Sequence, residues 1–174
     1  RWLGLREPFI CSNGAHVVSG VPREDWQFIP IPPDVLPGLI GTLRGMAIPF
    51  EAHVRGRAVV ERQFLAWLGR TRTSLRLVVL KALGARLYRV VNLIDDGTTE
   101  SLAGQVAKMV LDATPDVVSR VATACESTFP GRLRYVTTLT THGEALLEIQ
   151  DASANKGQAL SLVAERLGVS LEET

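Results

Sequence analysis

Residues 48–54 constrain the fold more than any other stretch. Ile48, Phe50, Ala52 and Val54 alternate with Pro49, Glu51 and His53. Alternation with period two predicts a strand with one buried and one wet face. A strand of that kind belongs to an antiparallel sheet covered on one side, not to a parallel sheet buried on both. Pro49 has no N–H to give a neighbour, which predicts that the early part of the strand lies at an edge. Residues 59–65 are its expected partner. Residues 87–94 are apolar on both faces except for Arg89 and Asn92, which predicts a central strand.

Helices follow from a different period. Pro30, Pro32 and Pro33 break the chain ahead of one, and Asp34 near its start suits the positive end of the macrodipole. Residues 74–83 allow a short second one. Thr98 or Thr99 can cap a third, with Leu102, Val106, Met109 and Val110 as one stripe. Thr114-Pro115-Asp116 opens a fourth, a hydroxyl at the cap and proline in the first turn, with Val117, Val118, Val121, Ala122 and Cys125 on its apolar side. Residues 133–139 and 145–149 predict a hairpin around His142-Gly143. A last helix is expected from about Lys156 to Leu167, stopping at Gly168. The expected class is α+β, an antiparallel sheet with helices on one face.

The formal net charge is +1, which does not point to nucleic acid. The charge is unevenly spread. From Arg55 to Arg89 there are nine basic residues and one acid, Glu61. That stretch is either a solvated face or a surface that attracts a phosphorylated ligand. No apolar run approaches the roughly 20 residues of a membrane helix, and no signal-like segment opens the chain. Cys11 and Cys125 lie far apart without metal or redox spacing, which suits a reducing, cytoplasmic setting. His16, His53 and His142 are too scattered for a metal-ligand pattern, so no metal site is expected.

The two ends carry more specific signals. Near the start, Leu3-Gly4-Leu5 is followed by Pro8-Phe9-Ile10-Cys11-Ser12-Asn13-Gly14-Ala15. Asn13-Gly14 between two strand-like runs predicts a tight turn, because both residues tolerate positive φ. Near the end, Leu147-Glu148-Ile149 leads to Asn155-Lys156-Gly157-Gln158-Ala159-Leu160 and then Leu167-Gly168-Val169. Asn155 with Gln158 fits a helix N-cap. Lys156 sits in the first helical turn, where a cation opposes the macrodipole at a cost of a few tenths of a kcal/mol. A lysine there is either solvated at a frayed end or placed to meet an anion.

These two segments, in this order and with roughly 130 residues between them, resemble the Cof-type phosphatases of the haloacid dehalogenase (HAD) superfamily. The resemblance implies an α+β cap domain over residues 20–149. It implies that residues 1–19 and 150–174 are partial pieces of an α/β Rossmann-like core. The family's matching lysine neutralises an aspartate nucleophile and the transferring phosphoryl group, a role that falls on Lys156. Asn13, Gly14 and Asn155 fall close to the substrate pocket.

That family also needs an Asp-x-Asp-Gly-Thr segment, a Thr or Ser on its second core strand and a late aspartate pair for Mg²⁺. The resemblance places the first two before residue 1 and the last beyond residue 174. Residues 92–98 mimic the nucleophile segment, but Ile94 occupies the nucleophile's position and an alkyl group cannot attack phosphorus. They predict a turn into a helix cap. The expectation is therefore the cap-bearing part of a Mg²⁺-dependent phosphatase acting on small phosphorylated metabolites. Its partner would be the missing core, and these residues alone would be inactive. The alternative is a free-standing module that binds a phosphate ligand or RNA through residues 55–89.

Overall fold

The computed structural model describes residues 7–55, 57–61, 88–91, 96–139 and 143–173. The expected helix at 74–83 and most of the basic stretch lie outside them. Three short strands come first: β1 (Phe9–Cys11), β2 (His16–Val18) and β3 (Asp25–Phe28), antiparallel in the order β1-β2-β3. The chain then builds α1 (Leu36–Gly45), β4 (Glu51–Val54), β5 (Arg57–Glu61), β6 (Tyr88–Val91) and α2 (Asp96–Leu102). There follow β7 (Val106–Ala113), α3 (Pro115–Thr128), β8 (Leu133–Leu139), β9 (Ala145–Asp151) and α4 (Lys156–Leu167).

Among the described residues a second sheet runs in the order β6-β5-β4-β7-β9-β8. Every pairing in it is antiparallel except β5 with β6. The α+β class and the antiparallel character hold, with that one parallel edge added.

Register assigns the two faces of this sheet. Ala52 lies opposite Met109, Met109 opposite Ile149, and Ile149 opposite Tyr135. This row faces the helices. Leu36, Leu39 and Leu43 of α1 and Val118, Val121 and Cys125 of α3 recur at three- and four-residue steps and share its core with Phe50. Burial of each such leucine contributes about 2–3 kcal/mol. α1 and α3 approach closely at Gly38, where a Cβ would come 2.8 Å from the ring of Phe129. The opposite face follows by alternation. His53 lies opposite Lys108, Lys108 opposite Gln150, and Gln150 opposite Arg134, with Glu51 and Glu148 in the next row. The sheet is therefore apolar toward its helices, and its other side carries these polar groups around buried Ala107 and Val110 of β7.

Several expectations need correction. Val106, Met109 and Val110 are not a helical stripe, because the helix ends at Leu102 and residues from Val106 onward form β7. β7 sits between β4 and β9 and buries residues of both faces, so its apolar positions lose the period of two. β6 is an edge strand among the described residues, not a central one. Pro49 precedes β4, which is flanked on both sides, so it imposes no edge. The Thr114 side chain makes no cap bond to α3, and its carbonyl accepts from Val118 instead.

Candidate functional site

The turn joining β1 to β2 is a single 3-10 turn over Ser12–Gly14, wider than a two-residue hairpin. Ser12, Asn13 and Gly14 all have positive φ, at 49°, 54° and 98°. Gly14 is required twice over. Its φ lies where side chains are strained, and a Cβ there would come within 2.8 Å of the Lys156 nitrogen and nearer still to the Asn155 carbonyl. The missing side chain lets the turn rest on the peptide that opens α4. Four residues distant in sequence, Asn13, Gly14, Asn155 and Lys156, thus meet at one corner.

Asn155 has extended φ and ψ of −148° and 128°, as an N-cap should. Its Oδ1 accepts from the Gly157 N–H at 2.7 Å and the Gln158 N–H at 3.4 Å. Two of the donors that could hold an anion at this helix start are therefore occupied by the cap. Charge at this corner comes from Lys156, the first residue of α4. Its side chain is exposed and has no hydrogen-bond or ion-pair partner among the described residues. α4 ends as its sequence predicts: Gly168 is left-handed, and the Val169 N–H reaches back to the Ala164 carbonyl at 2.9 Å.

Asn13 connects this corner to the polar face of the large sheet. Its Nδ2 donates to Glu148 Oε2, and Lys108 Nζ donates to Glu148 Oε1. Glu148 and Lys108 are each 13% exposed. Burial pushes the Glu148 carboxyl up, but the bonds from Lys108 and Asn13 outweigh it and hold the group below the usual carboxylate range. Beside this pair, His53 Nε2 lies 3.0 Å from Glu51 Oε1. Asn13, Glu148, Lys108, His53 and Glu51 thus carry charged and hydrogen-bonding groups from the corner along one sheet face.

Sequence reasoning singled out Asn13, Gly14, Asn155 and Lys156, which the fold brings to one corner, and gave no role to Glu148 and Lys108, which lie next to it. Alternation in β9 puts Glu148 on a polar face, but Lys108 lies in β7, whose residues do not alternate cleanly, and only the β7–β9 register makes the two neighbours. Among the described residues, no three His, Cys, Asp or Glu side chains converge as a metal site. The described residues therefore do not fit a Mg²⁺ ion by themselves. No helix among them is long and apolar enough to cross a membrane.

A sequence profile of haloacid dehalogenase-like hydrolases matches residues 1–174. Solved structures share the fold at low identity. TM0651 from Thermotoga maritima is 19% identical with a TM-score of 0.64, over 92% of this chain and 54% of its own. The HAD subclass IIB sugar phosphatase BT4131 is 14% identical with a TM-score of 0.67, over 97% and 55%. A haloacid dehalogenase-like hydrolase from Bacteroides thetaiotaomicron is 19% identical with a TM-score of 0.68, over 92% and 54%. The chain spans about half the length of these relatives. No curated protein matches it. The match along its whole length places the chain in the haloacid dehalogenase-like hydrolase family.

Proposed function

We propose that this chain is the cap-bearing part of a phosphatase that hydrolyses small phosphorylated metabolites. Residues 20–149 are then the cap, and residues 1–19 and 150–174 are edge pieces of the catalytic core. Lys156 is the cation that meets the reacting phosphoryl group and the carboxylate it is transferred to. Asn13 and Gly14 shape the neighbouring rim, and Asn155 holds the lysine at the start of α4. The polar face carrying Glu148, Lys108, His53 and Glu51 looks onto the leaving group and selects it.

One observation carries this reading. Gly14 packs against the Asn155–Lys156 peptide, so Lys156, whose exposed side chain has no partner among the described residues, starts its helix at the corner where the polar face begins. An ammonium fixed beside developing negative charge stabilises it without reorganising. Mg²⁺ would be held by carboxylates of the rest of the protein, since the described residues bring no ligand set together. In the intact enzyme that ion would supply charge neutralisation at the phosphate.

A chromogenic phosphate-ester assay with Mg²⁺ tests the division of labour. These 174 residues alone should give no turnover above a Lys156→Ala control. Turnover that depends on Lys156 in the chain alone would show that it holds a complete active site.

A further inference from the structure

Among the described residues, the small sheet meets the large one at the corner where Gly14 rests on the Asn155–Lys156 peptide, and in three further places. The first is backbone: the chain passes from β3 into α1 with the Ile31 N–H donating to the Val106 carbonyl at 2.8 Å. The second is a contact of small side chains, Ala15 with Ala107 and Ala154, beside the Asn13–Glu148 bond. The third is made by side chains just past the end of β4, beside the first two: Val54 pairs with Val106, and Phe28 packs against the alanine contact. Arg55, in the turn after β4, reaches back to β3. Its guanidinium lies 2.5 Å from Asp25 Oδ2 and stacks 4.5 Å from the centre of the Phe28 ring. From the other side, His16 Nε2 lies 2.7 Å from Asp25 Oδ1, and its ring meets Phe28 edge-on at 5.1 Å.

Both of the groups that Arg55 grips are thus already fixed within the small sheet. Asp25 is held by His16, and Phe28 lies opposite His16 in the β2–β3 register. The planar guanidinium matches a carboxylate and an aromatic face at once, which a lysine cannot do. The Asp25 carboxyl lies below its usual range, chiefly because of the bond to His16, with Arg55 adding to it. Arg55 is itself 58% exposed, so removing it leaves no hole in a core.

We propose that Arg55 is a positioning residue, a clasp that sets the angle of the large sheet over the small one. The backbone crossing, the alanine contact and the Gly14 corner then hold the sheets together, and the Arg55–Asp25–Phe28 contact beside them sets the rotation between the two. On the proposed function, that angle decides how far the polar face stands from Lys156. The clasp itself does not require that reading.

Residual dipolar couplings of backbone amides in the wild-type chain test this. Amides of β2, β3 and α4 and amides of β7, β8 and β9 should fit one alignment frame. In Arg55→Ala the common frame should be lost, with each sheet still fitting well alone. Asp25→Asn should lose it in part, and Arg55→Lys, which keeps charge but not the planar stack, should fall between. Arg132→Ala removes a different exposed ion pair, with Asp34, and should keep the common frame. A single frame retained in both Arg55→Ala and Asp25→Asn overturns the clasp. The readout involves no turnover, so it can fail while the phosphatase reading stands, and the reverse.

Discussion

Gly14 lies against the carbonyl of Asn155 so closely that no side chain fits between the β1–β2 turn and the start of α4. The contact joins the two ends of the chain and sets where Lys156 begins its helix. Gly14→Ala should destabilise the chain by about 3 kcal/mol, combining a strained φ with a clash against backbone that cannot yield. Gly41, on the exposed side of α1 with open space around it, is the control. Gly41→Ala should stabilise by up to about 1 kcal/mol through helix propensity. Urea unfolding midpoints of the two variants decide the matter, and they should move in opposite directions.

Glu148 binds two donors from different parts of the fold, Lys108 in β7 and Asn13 in the turn. Lys108→Met leaves a largely buried carboxylate with one donor and should cost about 3 kcal/mol. Lys108→Met with Glu148→Leu removes both charges and should recover part of that loss. A double-mutant cycle by urea unfolding measures the coupling.

Acid should weaken the fold through Glu148 and Asp25. Both carboxyls are held below their ordinary values in the folded chain, Glu148 by Lys108 and Asn13 against the opposing effect of burial, Asp25 chiefly by His16. A lowered folded pKa means that the folded state holds its proton less tightly than the unfolded one. The resulting stability is fully present above the unfolded value of about 4 and is lost as pH falls through the folded value. Unfolding free energy measured from pH 6 down to pH 3 should therefore fall. The fall should be shallower in Glu148→Gln, which has no proton to gain.

Asn155 caps α4 through its side-chain oxygen. Asn155→Ala should cost about 1 kcal/mol, and Asn155→Asp, which keeps the acceptor, should cost little. Thermal unfolding of the two variants distinguishes a cap from a residue whose amide nitrogen is needed for folding.

Much of this architecture can be read from residue patterns, for physical reasons that differ by element. α4 begins and ends where Asn155 and Gly168 predict, because caps are local chemistry. The β8–β9 hairpin follows from alternation flanking Gly143, which has a φ of 79°. β7 could not be read the same way. Buried on both faces, it sets apolar residues on either side of Lys108 without clean alternation, and Val106, Met109 and Val110 also happen to match helical spacing. The corner of the candidate site was visible as two motifs, yet the Asn13–Glu148 bond joins residues 135 apart and no spacing rule reaches that far. The Arg55 clasp is hidden for the same reason: its partners lie on β3, and only the packing of two sheets brings them together.

The central claim is that the Lys156 ammonium faces the reaction centre of a larger hydrolase. The most direct measurement is kcat for a phosphate ester in the intact enzyme carrying Lys156→Ala, compared with wild type at saturating Mg²⁺. Removing a fixed cation from the developing charge should lower kcat by about 100-fold or more. A kcat within about twofold of wild type, a difference of only about 0.4 kcal/mol in the barrier, would contradict that role and leave Lys156 as a solvated helix start.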